Sequence, residues 1–291
     1  MDNLPRMTKE NCGRELTKEE MRETQLNMLR ALAAFCDEHG LRYFLSGGTL
    51  LGAIRHQGFI PWDDDIDINM PRPDCEKLMK LTSGHLGDYC ILGPDMDGYS
   101  PCCESYRIYD PRTVIENWAG GSAKEPTYFP VFADLFPIEG LPASQRETVR
   151  HYGKIVLARK MQRTACLKHM EGSNAAAHLF HAVAWAPAKL AGYTYWSKLV
   201  QKIATKYRFD ECEWVGVMTA PFQTTGEKVR KEDYLKVIPV PFEGESYHGP
   251  SNYDTYLTQL YGDYMTPPPP EKQRTRHVFH MYQNRLWPSQ P

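Results

Sequence analysis

Apolar residues recur at helical spacing early in the chain: Met21, Leu26, Met28, Leu29, Leu32, Ala33 and Phe35 predict a helix over residues 17–39. Thr17 followed by Glu20 has the form of a capping box, and Gly40 supplies the stop. The pattern then changes. Residues 41–45 read as a short strand, Gly47 and Gly48 as a turn, and residues 49–55 as the opening of a second helix. Ile66 and Ile68 alternate with Asp65 and Asp67, so period two predicts a strand with both isoleucines on one face and both aspartates on the other. Pro71 and Pro73 end it, and residues 74–81 resume helical spacing. Strand-like runs come next at 89–92, 105–109, 113–115 and 128–136.

Near residue 142 the pattern becomes helical as far as His169, with Arg146, Arg150, Lys154, Arg159, Lys160, Arg163 and Lys168 set against the single acid Glu147. A further helical pair runs to about residue 207; strand-like pieces, a short helix over 251–261 and the prolines 267–270 come after it. This predicts an α+β core, residues 20–140 with 211–291, and a helical insertion over approximately 142–210. His178 and His181, in an apolar helical stretch, read as packing residues. The basic helix 146–168 reads either as a solvated face or as a platform that attracts a lipid-linked or anionic acceptor by peripheral membrane contact.

With 291 residues, 42% of them hydrophobic, the chain can bury a real core and is not a disordered protein. Its net charge of −2 gives no reason to expect nucleic acid. The eight cysteines form no C-x-x-C pair, the adjacent Cys102 and Cys103 have no second pair for zinc, and the first 23 residues carry charges throughout. The expectation is the reducing cytoplasm. The longest uncharged run, residues 172–188, is 17 long and short of the ~20 needed to span a bilayer.

Composition leaves one anomaly, the packing of Asp63, Asp64, Asp65 and Asp67 into five residues. Carboxylates ~6 Å apart at an effective dielectric near ~20 repel by about 3 kcal/mol a pair, which a divalent cation removes. A calcium loop counted from Asp63 fails where it needs glycine, because Ile68 stands there, and Pro71 and Pro73 break the loop and the helix after it. An Asp-x-Asp of a sugar-nucleotide glycosyltransferase is chemically reasonable, but residues 1–60 leave little room for its nucleotide-binding half. The third reading uses the whole segment. Backbone N–H groups at Gly48 and Thr49 would hold phosphate at a helix N-terminus, while Asp65 and Asp67 hold Mg²⁺ against it, with Asp134 as a third carboxylate from a later strand. That is the arrangement of the nucleotidyltransferase fold, with a mixed β-sheet flanked by helices.

The runs GGTLLGAIRHQGFIPWDDDIDI, FADLFPIEG and YDTYLTQLYGDYMTPPPPEK closely resemble the LicD family, which includes fukutin-related proteins. The resemblance covers most of the chain outside 142–210 and implies a single LicD-type domain over 1–291. It implies transfer of a phospho-alcohol, commonly phosphocholine from CDP-choline, to a glycan hydroxyl with release of CMP, as in lipopolysaccharide or capsule biosynthesis. The implied metal is Mg²⁺ or Mn²⁺. The donor is a CDP-alcohol and the acceptor a glycan or lipid-linked glycan, met in the cytoplasm or at the inner face of the membrane. Gly47, Gly48 and Thr49 match the family's phosphate turn, Asp65 and Asp67 its metal pair, Asp134 its third acid, and Arg55 and His56 its basic pair. Arg55 would neutralise diphosphate charge and His56 would orient or protonate a leaving phosphate.

Several residues carry two readings. Asp63 and Asp64 precede the alternating strand and read as supports more readily than as ligands. Trp62 is a core anchor or part of an aromatic wall for a quaternary ammonium. Arg107 is a phosphate contact or a structural ion pair; Asp263 and Tyr264, in YGDYM, face substrate or form a helix-ending turn. Two other activities fit the motif: nucleotidyl transfer from an NTP, and metal-dependent glycan binding without catalysis.

Overall fold

The first long helix forms for the reason its sequence announces. In the computed structural model, which describes residues 7–94, 105–118, 125–167, 175–219, 227–275 and 279–287, strand β1 (Cys12–Glu15) precedes helix α1 (Lys18–His39). Thr17 Oγ1 accepts from the Glu20 backbone N–H at 3.2 Å, and the Glu20 side chain accepts from the Thr17 N–H at 2.9 Å. Gly40, at φ 62°, ends the helix in the left-handed conformation. Met21, Gln25, Met28, Leu29, Leu32 and Cys36 form its buried stripe.

The chain continues through β2 (Phe44–Leu45), α2 (Gly47–His56), β3 (Asp67–Pro71), α3 (Arg72–Thr82), β4 (His85–Leu86), β5 (Tyr89–Leu92), β6 (Tyr106–Asn117) and β7 (Thr127–Leu141). Helices α4 (Gln145–Cys166) and α5 (Ala175–Ala204) lie between β7 and β8 (Trp214–Val217). Then come β9 (Val229–Arg230), α6 (Lys231–Tyr234), the hairpin β10 (Val237–Phe242) and β11 (Glu245–Pro250), α7 (Tyr253–Tyr261) and β12 (Phe279–Asn284). One mixed sheet of ten described strands runs β1-β12-β6-β7-β3-β2, with β5 and β4 joined to β6, and β8 and β9 to β7. Only β3 and β7 pair in parallel among these strands. The fold is α+β, with a mixed sheet flanked by helices.

Local chemistry sets several boundaries away from their expected places. Ser46, not Gly48, is the N-cap of α2, so both glycines lie in its first turn instead of a separate turn before it. Strand β3 begins only at Asp67, which leaves Asp65 in the preceding loop. The runs at 105–109 and 113–115 are one strand, β6, with an irregularity between Asp110 and Ile115. There the Asp110 carboxylate accepts from the Arg112 N–H at 3.0 Å and the Asp110 carbonyl from Thr113 Oγ1 at 2.7 Å, side-chain bonds that give the sequence the look of a break. Strands β1 and β12, which pair with each other at the sheet edge, have too little alternation to be read from sequence. Cys102, Cys103, Lys168 and the side chains of His178 and His181 lie outside the described residues.

One large core unites α1, α2, α3, the sheet and α7; Met28, Leu29, Leu32, Ile68, Leu135 and Leu257 are fully enclosed in it. Side chains of this size contribute about 1.5–3 kcal/mol each on burial. A second cluster joins Tyr152, Ile155, Val200 and Ala204 to Leu141 and Met218. Arg72 ties the two regions: its guanidinium pairs with buried Glu139 and donates to Gln201 Oε1 of α5 at 3.1 Å. No described helix is long and apolar enough to cross a membrane.

Candidate active site

The parallel pairing of β3 with β7 sets Asp67 beside Asp134, and the antiparallel pairing of β7 with β6 sets Asp134 beside Arg107. Three strands therefore present an acid, an acid and a base in one row. Arg107 Nε donates to Asp134 Oδ1 at 2.6 Å, and its guanidinium lies 4.2 Å from the Phe132 ring centroid. Burial raises the Asp67 carboxyl well above the ordinary carboxylate range, and Asp65, Asp134 and Asp63 push it the same way. The Gly48 backbone N–H bonds to Asp67 and pulls in the other direction. The four carboxylates crowd one space, and their mutual repulsion is relieved by protonation or by a bound cation.

The loop before β3 is held from α1. Arg22 Nη2 donates to the Ile60 carbonyl at 2.9 Å and the Asp63 carbonyl at 3.0 Å, and Gln25 Nε2 donates to the Asp64 carbonyl at 3.0 Å. Thr275, far along the chain, donates its hydroxyl to the Asp64 carboxylate. So fixed, Asp63, Asp64 and Asp65 bring one oxygen each to within 4.8 Å of one another. An all-oxygen set of this density fits a hard divalent cation such as Mg²⁺.

The two glycines are needed for these acids. A Cβ on Gly47 would lie 2.7 Å from Asp67 Oδ2, and one on Gly48 would lie 2.5 Å from Asp63 Oδ2; Gly47 also has φ +51°. The Thr49 hydroxyl accepts from the Asp67 backbone N–H at 2.8 Å. Tyr256 takes a backbone hydrogen bond from Gly47. The first turn of α2 thus packs Gly47, Gly48 and the Thr49 hydroxyl against the acidic strand, while Gly48 also lines the cavity described below.

At the other end of α2, Arg55 Nη1 donates to the Tyr264 carbonyl at 2.7 Å and Arg55 Nε donates to His56 Nε2 at 2.9 Å. Burial and the adjacent Arg55 lower the His56 pKa. His56 is therefore a neutral acceptor at neutral pH that orients Arg55. Of the two roles expected for it, orientation is the one this contact supplies. Its ring also meets Trp62 edge-on, with centroids 6.2 Å apart.

These elements enclose a cavity of about 520 Å³, within the range of small-molecule sites. Asp63, Asp64, Asp65 and Asp67 line one part, Arg55, Lys272 and Arg274 supply positive charge, and Trp62, Tyr261 and Tyr264 supply aromatic surface. Burial and then the nearby charges of Asp67 and Asp63 raise the Tyr261 phenol far above its ordinary pKa. Asp263 lines the cavity while accepting from Thr266 Oγ1 at 2.7 Å, and the Tyr264 hydroxyl donates to Asp254 at 2.8 Å.

Of the residues singled out from sequence, Gly48, Arg55, Trp62, Asp65, Asp67, Asp263 and Tyr264 line this cavity. Gly47, Thr49, His56, Arg107 and Asp134 are not among its lining residues. Arg107, read as a phosphate contact or an ion pair, is an ion pair, and Asp134 acts on Asp67 from the neighbouring strand. Asp63 and Asp64, read mainly as supports, are members of the carboxylate cluster. Lys272 and Arg274 escape the sequence reading; a basic run after four prolines is their one visible signal.

The sequence is similar to those of known proteins. Residues 40–94 match the family described as LicD/FKTN/FKRP, nucleotidyltransferase domain. The lipopolysaccharide cholinephosphotransferase LicD of Haemophilus influenzae is 29% identical over 277 residues, which is 92% of this chain and 99% of that protein. The ribitol 5-phosphate transferase FKRP of Homo sapiens is 41% identical over 71 residues, 23% of this chain and only 14% of its own length. The matched span 40–94 contains α2, the acidic loop and β3, the elements that carry the clustered carboxylates. The chain is thus similar to a LicD protein along nearly its whole length, and its residues 40–94 match the LicD/FKTN/FKRP nucleotidyltransferase domain.

Proposed function

We propose that this protein is a Mg²⁺-dependent phosphotransferase that moves phosphocholine from CDP-choline to a glycan hydroxyl and releases CMP. The observation that carries the reading is the convergence of Asp63, Asp64, Asp65 and Asp67 with Arg55, Lys272 and Arg274 around one cavity. Acids for a metal and separate cations for phosphate oxygens are what a diphosphate donor requires. Mn²⁺ would satisfy the same oxygens. The full-length similarity to a cholinephosphotransferase and the partial similarity to a ribitol 5-phosphate transferase both support phospho-alcohol transfer over nucleotidyl transfer.

Asp63, Asp64, Asp65 and Asp67 would hold a divalent ion that would neutralise charge on the diphosphate. Arg55, Lys272 and Arg274 take the remaining phosphate oxygens, and Arg55 is set for this by His56 and the Tyr264 carbonyl. Asp134, held by Arg107, stands next to Asp67 and strengthens that carboxylate's demand for a cation. The acceptor oxygen attacks the β-phosphorus, the anhydride bond to the α-phosphate breaks, and CMP leaves with the electron pair. The hydroxyl proton passes to a cavity carboxylate. Trp62 and Tyr261 beside acids suit a quaternary ammonium, which favours choline as the transferred alcohol.

Thermal-shift measurements with Mg²⁺ and CDP-choline, CDP-ethanolamine, CDP-ribitol and CDP-glycerol test the donor. Binding to the folded state alone raises the melting temperature. CDP-choline is expected to give the largest rise. An equal or larger rise with CDP-ribitol would transfer the reading to that alcohol, and no rise with any CDP-alcohol would overturn it.

A further inference from the structure

The exposed apolar surface of this protein is concentrated in one place. Among the described residues, Val149, Leu157, Leu179, Val183, Leu190 and Tyr195 are six of the ten large hydrophobic side chains that stand exposed, and all six lie on α4 and α5. On α5 they continue a pattern. Leu179, Ala182, Val183, Ala186, Pro187 and Leu190 are all exposed, and their spacing of three and four residues lines them along one face. Val183 is 73% exposed and Leu190 88%. The opposite face is apolar too: Ala184 and Ala188 pack with Phe180 and Trp196 on Met161 and Ala165 of α4. A helix apolar all round needs a partner on its outer face. Lys189, the one charged residue in this stretch, is exposed and reaches across to the end of α4, donating from Nζ to the Ala165 carbonyl at 2.9 Å and the Leu167 carbonyl at 2.5 Å.

Charge identifies the occupant. Residues 148–209 contain eleven Lys and Arg against the single acid Glu171, a net charge of +10. The whole chain is −2, so the remainder carries −12. On α4 the exposed residues Arg146, Arg150, Lys154, Lys160 and Arg163 recur along one helical side, with Val149 and Leu157 among them. A solvated surface has no need of an apolar stripe, and a stripe meant for a second copy of this chain would set two strongly positive surfaces face to face.

We infer that α4 and α5 form a docking surface for an anionic phospholipid leaflet, with the α5 stripe entering the acyl boundary and the α4 cations meeting the headgroups. No described helix spans a bilayer, so the contact is interfacial. The surface lies outside the cavity and is independent of which phospho-alcohol is transferred. It brings a membrane-borne acceptor to the protein.

The full chain should be floated with vesicles of phosphatidylcholine alone and of phosphatidylcholine with phosphatidylglycerol, alongside CMP release from CDP-choline. Binding should be about tenfold stronger to the anionic vesicles and weaken about tenfold as salt rises from ~0.05 to ~0.5 M. Val183→Glu with Leu190→Glu should lower anionic-vesicle binding about tenfold and leave CMP release unchanged, since both side chains project from the fold. Arg150→Glu with Lys154→Glu should do the same. Binding that ignores lipid charge and salt, or no vesicle binding, overturns the inference; so does self-association that the Val183→Glu, Leu190→Glu variant abolishes, which would mean a second copy covers the stripe. Vesicle binding without CMP release would sustain this surface and count against the transfer reaction alone.

Discussion

Gly48→Ala isolates the geometry of the acidic cluster with one methyl group. The added Cβ would lie 2.5 Å from Asp63 Oδ2, whereas ordinary contact begins at 3.4 Å, so the carboxylate must retreat by about 0.9 Å. Asp63 is the end of a short side chain at the cavity wall and turns aside without moving the backbone. The backbone of Gly48 is not left-handed, and alanine in a helix is favoured over glycine by about 0.5–1 kcal/mol. The folded protein should therefore melt no lower than wild type. Catalysis should suffer, because misplacement by ~1 Å costs about 10²-fold, or about 2.7 kcal/mol of barrier. The assay is CMP release from CDP-choline across a Mg²⁺ titration, with melting temperature as the control for folding. The expected result is turnover down about 10²-fold, a higher half-saturating Mg²⁺ concentration and an unchanged or raised melting temperature. Wild-type turnover with wild-type Mg²⁺ dependence would refute the claim that Asp63 belongs to the metal-holding set.

Other substitutions separate roles that proximity alone confuses. His56→Gln, which retains an acceptor for Arg55, should lower kcat less than about threefold, whereas loss of a general acid costs about 10²–10⁴-fold; a drop of the larger size would assign it the proton-donor role. Lys272→Gln with Arg274→Gln should raise the KM for CDP-choline about tenfold or more and leave the melting temperature within ~2 °C, and an unchanged KM would remove both from the phosphate site. His151 is buried, its Nε2 has no hydrogen-bond partner, and burial with Lys206 and Lys154 lowers its pKa from 6.5 to about 4. A base of this kind takes up its proton more readily when unfolded. Its stability contribution is therefore complete above pH ~6.5 and is lost as pH falls towards ~4, by up to about 3 kcal/mol. His151→Phe should flatten that part of the pH–stability curve, measured by urea unfolding; an unaltered acid limb would show that His151 is not its source.

The parts of the fold that are legible in sequence are those whose signals are local. Thr17, Glu20 and Gly40 write the limits of α1 within its own residues, and Ile68 beside Asp67 writes one edge of β3. The site is legible where strand period fixes it, at Asp67 and Asp134, and less so where partners come from far along the chain. Asp63 and Asp64 sit in a loop with no period, and their convergence depends on Arg22 and Gln25 reaching across about 40 positions and on Thr275 reaching back 211. The Arg107 contact depends on the register of β6 against β7, which no local pattern declares. The glycines stand out in the sequence, yet their reason does not: a small residue is needed both where a phosphate approaches and where a carboxylate does, and only the folded arrangement distinguishes the two.

That the clustered acids hold a metal, and that a phospho-alcohol leaves a CDP donor beside them, is tested most directly by phosphorus NMR. CDP-choline and a glycan acceptor are followed with Mg²⁺ or with chelator, and with wild type or Asp67→Asn. The expected result is CMP and a phosphodiester on the glycan from wild type with Mg²⁺, and neither product with chelator or with a folded Asp67→Asn protein. Phosphodiester formed in the presence of chelator, undiminished turnover by Asp67→Asn, or pyrophosphate released from CTP in place of CMP from CDP-choline would contradict it.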